Sequence, residues 1–383
     1  MTRLALGALA LVAACSSGSS PSPAPESAAT PAGTGTLTPT LGGRLNAPAG
    51  LRVTYWARLP GARAMALGPD GAVYVSQPGA NQVTRLADND GDGVAEDARV
   101  AVRGLDEPFG LAFRGRDLYV ANTGSVVRAT LGADGLAAGP VQTVATYSGG
   151  GGHSSRSIAF GADGALYVSI GSTCNVCEER SADRAAVMRF DLAAGGPGRV
   201  FARGLRNAVG IALHPTTREL WVSQHERDNI RPDHQNLPPE EINVLRDGGD
   251  YGWPYCHSNR VPNPEFDDAA RCAATIPPAL AMQAHSAPMM LAFLDRATAL
   301  PAEYRGDALV AFHGSWNRDV PTGAKVVRVR VQDGRPVRYE DFVTGWQTAS
   351  GERWGRPVGI VVAADGSVLV SDDAGGAIFR VSP

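Results

Sequence analysis

Apolar residues along the chain fall into short paired runs. Six times a strand-like tetrad is followed, a few residues later, by a second strand-like run. The pairs are AMALGPDGAVYVSQ from Ala64, GLAFRGRDLYVAN from Gly110, SIAFGADGALYVSIG from Ser157, GIALHPTTRELWVSQ from Gly210, LAFLDRATALPAEYRGDALVAFHGS from Leu291 and GIVVAADGSVLVSDD from Gly359. A repeat of roughly 40 to 65 residues built from four-strand units is the pattern of propeller blades. The expected fold is all-β, a six-bladed β-propeller. No window keeps a long apolar period of 3.6, so helix should be scarce.

The third unit shows how a blade is read. SIAF is the innermost strand and ALYVSIG the second, joined by an Ala-Asp-Gly turn whose glycine supplies positive φ. AAVMRFDL and GRVFARGL are the third and fourth. The last unit stops one strand short at Pro383, while LRVTYWARLPG, Leu51 to Gly61, has fourth-strand composition. The two chain ends are therefore expected to share one blade, which leaves the ring without a free edge. The loops around a central channel then become the place to look for chemistry.

The N-terminus departs from this pattern. MTRLALGALALVAAC carries one basic residue and an apolar run too short to span a bilayer, and reads as an export signal. Its ending Val12-Ala13-Ala14-Cys15 looks like a bacterial lipobox, in which Cys15 is acylated; an ordinary signal peptide is the alternative. Residues 16–48, rich in Ser, Pro, Ala, Thr and Gly, lack the apolar side chains that repay ordering and read as a flexible tether. The propeller is assigned to residues 49–383. An exported protein, periplasmic or at the cell surface and held to a membrane only by its lipid, follows as an expectation.

A formal net charge of −3 at neutral pH gives no reason to expect nucleic acid as a partner. Beyond Cys15, four cysteines remain: Cys174, Cys177, Cys256 and Cys272. In an exported chain an even count favours disulfides, here paired locally, with a zinc site as the rival. Glu178 follows CNVC where a c-type haem motif needs His, so no covalent haem is expected.

Three segments carry chemistry that propeller geometry does not require. In SGGGGHSSRS, His153 follows four glycines at the channel mouth; glycine allows close approach of a ligand, and imidazole suits general-base work. The bland alternative is an ordinary loop histidine. In GLRNAVGIAL, Arg206 and Asn207 occupy the same place one blade on, offering a planar cation and a mixed donor and acceptor; a surface ion pair is the alternative. The excursion from Ser223 to His257 is long for a compact repeat. Its carboxylates Glu226, Asp228, Asp233, Glu240 and Glu241 are candidate oxygen ligands for a hard cation. His285, before the fifth inner strand, shares the topological place of His153.

Together these motifs resemble the soluble quinoprotein glucose and sorbosone dehydrogenases, including the aldose sugar dehydrogenases. That family comprises six-bladed propellers using pyrroloquinoline quinone (PQQ) with calcium. The resemblance runs from about Gly50 to the C-terminus on GGGH at His153, GLRNxxG at Arg206, EEIN…GGDYGWP from Glu240, AFHGSWNRDVPTGAKVVRV from Ala311 and GRPVGI at Arg356. It implies His153 as the base that takes the hydroxyl proton while hydride passes to PQQ. Arg206 would stabilise developing negative charge, and Asn207 would contact the cofactor. Arg356 would hold PQQ carboxylates. Trp316 lies in the segment where the family places a cationic contact, for which Arg318 and Lys325 remain alternatives. The cofactor-side calcium would sit on main-chain oxygens near His225 and Glu226.

The chain departs from the glucose enzymes at two places. Ser172 stands where they carry an Asp beside the catalytic histidine, leaving Ser172, Glu178 or Asp228 to orient the imidazole. Trp354 replaces one of two paired arginines. CNVCEE and GSWNR fit the sorbosone-like branch, so the expected substrate is an aldose or a sorbosone-like sugar aldehyde, and an external quinone or small redox carrier is the expected electron acceptor. Separately, Asp88, Asp90, Asp92 and Glu96 have the spacing of a calcium loop, although Arg99 stands at its twelfth position; a solvated acidic turn is the alternative. Two other readings are kept: a calcium-dependent lactonase or hydrolase propeller, and a non-catalytic binding propeller.

Overall fold

A computed structural model describes Met1 and residues 36–383. The signal stretch, Cys15 and the tether up to residue 35 lie outside the described residues. The end of the expected tether is ordered: Leu37–Thr40 and Leu45–Pro48 pair as a hairpin, with Leu45 and Ala47 fully buried. Asn46 bridges to Thr344 of the fifth blade, so the propeller unit includes this hairpin.

Six antiparallel sheets form the ring. Their innermost strands are Met65–Leu67, Leu111–Arg114, Arg156–Phe160, Ala208–Leu213, Pro288–Phe293 and Pro357–Val362. Each touches the next, and the sixth touches the first. In the third blade the order is Arg156–Phe160, Leu166–Ile170, Ala186–Phe190 and Arg199–Arg203, as the sequence pattern predicts; a short parallel segment, Gly249–Asp250, is added outside. The N-terminal strand Arg52–Arg58 is the outer strand of the sixth blade, paired with Ala377–Ser382, so the ring closes as expected. The only α-helix among the described residues is Ala269–Ala273.

Repeated polar devices tie the blades. The serine of each YVS-like run sits in the second strand and reaches inward. Ser223 Oγ accepts from Gly210 N at 3.0 Å and donates to Met289 O of the next blade. Ser371 Oγ does the same between Gly359 N and Arg63 O, closing sixth blade onto first. The glycine opening these inner strands is required by close approach, since a Cβ on Gly359 would lie 2.3 Å from Arg63 O. Apolar clusters fill the spaces between blades. The largest joins the hairpin, the fifth and the sixth blades around Trp346 and Phe379, whose rings lie 5.5 Å apart.

Both expected disulfides are present, Cys174–Cys177 and Cys256–Cys272, and they occupy the thiols that a zinc site would need.

Candidate active site

In the fourth, fifth and sixth blades the residue before the inner strand meets the residue after the second strand at the same end of the ring, and in the third blade His153 and Ser172 meet slightly beyond those positions. They form one further rung of the hairpin ladder. His153 N donates to Ser172 O at 3.0 Å, His225 N to Asn207 O at 2.9 Å, His313 N to Ala287 O at 3.0 Å and Asp373 N to Arg356 O at 3.3 Å. This shared rung gathers His153, Asn207, His225, His313, Arg356 and Asp373 from four blades around one mouth.

His153 is half-buried. Its Nδ1 lies 3.0 Å from Ser172 Oγ and 3.1 Å from Ser172 O. The Ser172 hydroxyl donates to Cys174 O at 2.7 Å, so both oxygens facing Nδ1 are acceptors. The proton therefore belongs on Nδ1, and Nε2, which has no protein partner, keeps its lone pair. Burial, and then the charge of Arg206, push the imidazole down to about 4, so the ring is neutral near pH 7. Ser172 thus takes over the tautomer-fixing work expected of an Asp, without adding negative charge. Glu178 does not share it, being hydrogen-bonded to Tyr255.

Arg206 and Asn207 are both buried. The Arg206 guanidinium donates to Asn175 O at 3.1 Å and Asn175 Oδ1 at 3.0 Å, and faces Asp228 Oδ2 at 3.5 Å. It also donates to Glu226 O at 2.7 Å and His225 O at 3.4 Å. Asp228 in turn faces His285 Nδ1 at 3.4 Å and accepts from Asn317 Nδ2 at 2.8 Å. His285 joins the mouth as its position suggests. Burial pulls its pKa down, but the Asp228 hydrogen bond and the nearby Glu240 charge outweigh this and raise it.

Arg356 is where the sequence places it. It donates to His313 O at 2.9 Å and Gly314 O at 3.0 Å. Beside it, His313 Nε2 lies 3.0 Å from Asp373 Oδ1, and Arg63 Nη1 lies 3.4 Å from Asp373 Oδ2. Arg63 Nε is buried without a partner. His313, Asp373 and Arg63 were missed by sequence reasoning. The signal that finds His313 and Asp373 is their place on the ladder, one residue beyond the second strands Ala308–Phe312 and Val368–Asp372. His225 feels both groups electrostatically, His153 and Arg206 on one side and His313 on the other, so the two clusters share one mouth.

Several other expected positions are engaged within the protein itself. Trp316 is 74% exposed and Lys325 is held by Asp341 of the outer strand at 2.5 Å. Arg318 clips its loop to Ala284 O at 3.4 Å and to Gln235 O. Trp354 packs on Trp346 and Phe379, with Arg44 over its ring at 4.0 Å, and is part of the core. The His225 and Glu226 carbonyls expected to hold calcium both turn to Arg206. The His225 ring is engaged too, with Nε2 donating to Pro288 O at 3.0 Å. Three of the excursion's carboxylates are buried together: Gln224 Nε2 donates to Glu226 and to Glu241 Oε2 at 3.2 Å, and Glu240 accepts from Glu226 N at 2.7 Å. Burial raises the pKa of all three, whereas Asp233 lies apart and accepts from local amides. In the peripheral loop, Asp88, Asp90 and Glu96 bring carboxylate oxygens within 4.8 Å of one another, and Asp92 stands outside that group. Those carboxylates accept from loop amides such as Asn89 N and Gly91 N, which is sufficient to shape the turn.

The mouth therefore presents Arg63, Arg206 and Arg356, with its carboxylates Asp228 and Asp373 already paired. Such a donor set suits a polycarboxylate ligand.

The sequence model of a family described as TrAA12-like matches residues 46–383. A curated relative, the pyrroloquinoline quinone-dependent pyranose dehydrogenase of Coprinopsis cinerea, is 30% identical over 234 residues, covering 48% of this chain and 31% of that protein. The chain spans about half or less of the length of the curated relatives it matches. The solved holo form of the Coprinopsis cinerea pyranose dehydrogenase PQQ domain superposes with a TM-score of 0.76 at 22% identity, over 90% of this chain and 100% of that domain. A calcium structure of the Trichoderma reesei carbohydrate-active enzyme of family AA12 gives a TM-score of 0.75 at 22% identity, over 88% and 96%.

Proposed function

The chain belongs to the TrAA12-like family, and from that premise we propose that it is a quinoprotein sugar dehydrogenase working at the mouth described above. The observation that carries the reading is His153: a neutral imidazole with Nδ1 tied to Ser172, Nε2 free, and Arg206 beside it. PQQ, when bound, supplies the two-electron acceptor for a hydride from the sugar carbon. Arg356 and Arg63 would hold its carboxylates, and Asn207 would meet it from the fourth blade. The names of the Coprinopsis cinerea relative and its holo domain support this choice of cofactor.

The chain's own residues then do three things. His153 Nε2 takes the proton of the sugar hydroxyl, the direction its neutral state and fixed tautomer allow near neutral pH. Arg206, held rigidly by four hydrogen bonds to carbonyl and amide oxygens, presents fixed positive charge where negative charge develops. Gly171 lets His153 and Asn207 approach each other, because any Cβ there would collide with both.

Calcium is proposed as the partner of the bound quinone, supported by the Trichoderma reesei calcium structure. The protein's donor set here does not by itself form a cation cage, since the His225 and Glu226 carbonyls face Arg206, and no step is assigned to the metal. The substrate is proposed as a pyranose or other aldose, with sorbosone-like aldehydes within the class. A small redox carrier would take the electrons, and the N-terminal signal with Cys15 would hold the enzyme outside the cytoplasm. A metal-dependent lactonase is disfavoured because the mouth's two carboxylates are each paired with cations.

The test is calorimetric titration of PQQ into the calcium-supplied propeller, then dye reduction over a panel of aldoses. One-to-one binding with sugar-dependent turnover, abolished in His153→Ala, supports the reading. Absence of PQQ binding, or lactone hydrolysis without PQQ, overturns it.

A further inference from the structure

We propose that Asn175, held within the Cys174–Cys177 bridge, is a positioning residue for Arg206, so that this disulfide belongs to the active-site machinery. The proposal rests on the dehydrogenase reading only for its kinetic arm.

Asn175 sits in the tight loop that the bridge closes over three residues of separation. Its main-chain oxygen accepts from Arg206 Nε and from Trp253 Nε1, both at 3.1 Å. Its side-chain oxygen accepts from Arg206 Nη2 at 3.0 Å and from Asp228 N at 2.9 Å, and its Nδ2 donates to Asp228 O at 3.0 Å. One residue thus grips two edges of the guanidinium. It also fixes the backbone of Asp228, the carboxylate that faces the same guanidinium and His285. Cys174 contributes as well, because its carbonyl receives the Ser172 hydroxyl that leaves only acceptors facing His153 Nδ1.

A four-residue turn presenting two adjacent carbonyls and one amide side chain in fixed directions has little intrinsic reason to keep that shape. No strand ladder runs through it, and its neighbours Thr173 and Glu178 are exposed. The covalent closure limits the conformations open to it. The other bridge, Cys256–Cys272, joins the turn after Trp253 to the short helix Ala269–Ala273, and its cysteines make no hydrogen bond to His153, Arg206 or Asn207. The two disulfides should therefore differ in what they control.

The experiment compares Asn175→Ala, Asn175→Asp, the double variants Cys174→Ala/Cys177→Ala and Cys256→Ala/Cys272→Ala, and wild type. Readouts are kcat and KM in PQQ-dependent dye reduction, the melting temperature, and hydrogen exchange at the Asp228 amide in cofactor-free protein. Asn175→Ala is expected to lower kcat about 100-fold, the scale of an ångström-level misplacement. Asn175→Asp, which keeps the acceptor oxygen and loses the donor, should fall by only about tenfold. Removing the Cys174–Cys177 bridge should cost kcat beyond the folded fraction lost, whereas removing Cys256–Cys272 should lower the melting temperature and leave kcat of the folded enzyme within about twofold. Wild-type kcat in Asn175→Ala, or equal kcat losses from both bridges, overturns the proposal. Should wild type bind no PQQ, the dehydrogenase reading falls on its own. The Asp228 amide then decides the clamp: faster exchange in Asn175→Ala supports it and an unchanged rate overturns it.

Discussion

Gly171→Ala is the sharpest perturbation the structure offers. Gly171 follows the second strand of the third blade, and its φ is not in the left-handed region, so alanine brings no backbone strain. A Cβ placed there would lie 2.6 Å from His153 Cβ and 2.6 Å from Asn207 Oδ1. Carbon atoms in contact prefer about 3.5 to 4.0 Å, so one neighbour must retreat by about 1 Å. Neither is the tip of a long flexible chain: His153 Cβ is the stem of the base, and Asn207 is buried beside His225. A displacement of that size is expected to lower kcat about 100-fold, equivalent to about 2.7 kcal/mol in the barrier. The overpacking itself should cost about 1 to 3 kcal/mol of stability, a fall of roughly 1 to 4 °C in melting temperature for a domain this size. The assay is PQQ-dependent dye reduction at saturating sugar beside a thermal melt. Gly79→Ala is the control, since its Cβ would meet nothing within 4 Å, and kcat should stay at the wild-type value. If Gly171→Ala folds and keeps kcat within about twofold of wild type, the pairing of His153 with Asn207 is not the reacting geometry.

Further expectations concern the base and the ring. In the cofactor-free protein, the His153 ring followed by NMR should titrate near 4 rather than at 6.5, and an ordinary imidazole titration would contradict its burial beside Arg206. The sign follows by linkage: between those two values the unfolded chain takes up a proton that the folded chain refuses. This contribution to stability is therefore full above pH 6.5 and is lost as pH falls toward 4. Ser172→Asp would place a carboxylate against Nδ1, raise the imidazole pKa and move the acid limb of kcat/KM upward; an unmoved limb would show that Nδ1 does not face position 172. Phe379→Ala, emptying the space beside Trp346 where the last blade closes on the first strand, should cost about 3 to 5 kcal/mol by urea unfolding, and a loss below about 1 kcal/mol would contradict the packing there.

The ring was legible because each blade announces itself locally. An apolar tetrad, an Asp-Gly turn and a run ending in YVS or WVS recur, and Gly164 does adopt positive φ while Asp163 accepts from Ala165 N at 3.1 Å. His153, Arg206, Asn207 and Arg356 were legible for the same reason, since each stands beside a recognisable inner strand. The hairpin Leu37–Pro48 was not, because its Thr- and Pro-rich sequence resembles a linker and only burial of Leu45 and Ala47 against the fifth and sixth blades orders it. The direction of Lys325, tied to Asp341 at the start of its strand, was not legible for a related reason. Sequence distance from a motif says nothing about which way a side chain leaves its strand.

The chain's apolar periodicity and its turn residues, then, determined six sheets, their order and the closure of the ring, because these depend on contacts between residues close in sequence and on repetition. What tertiary structure alone decided is the partnership at the mouth. Ser172 with His153, Asn175 with Arg206, His313 with Asp373, and Arg63 arriving from the first blade to meet the sixth are pairings in which each member is polar, common and unremarkable in its own stretch. They acquire chemistry only when ring closure removes them from water and sets each against fixed partners, since burial makes the identity of those partners set charge, tautomer and direction.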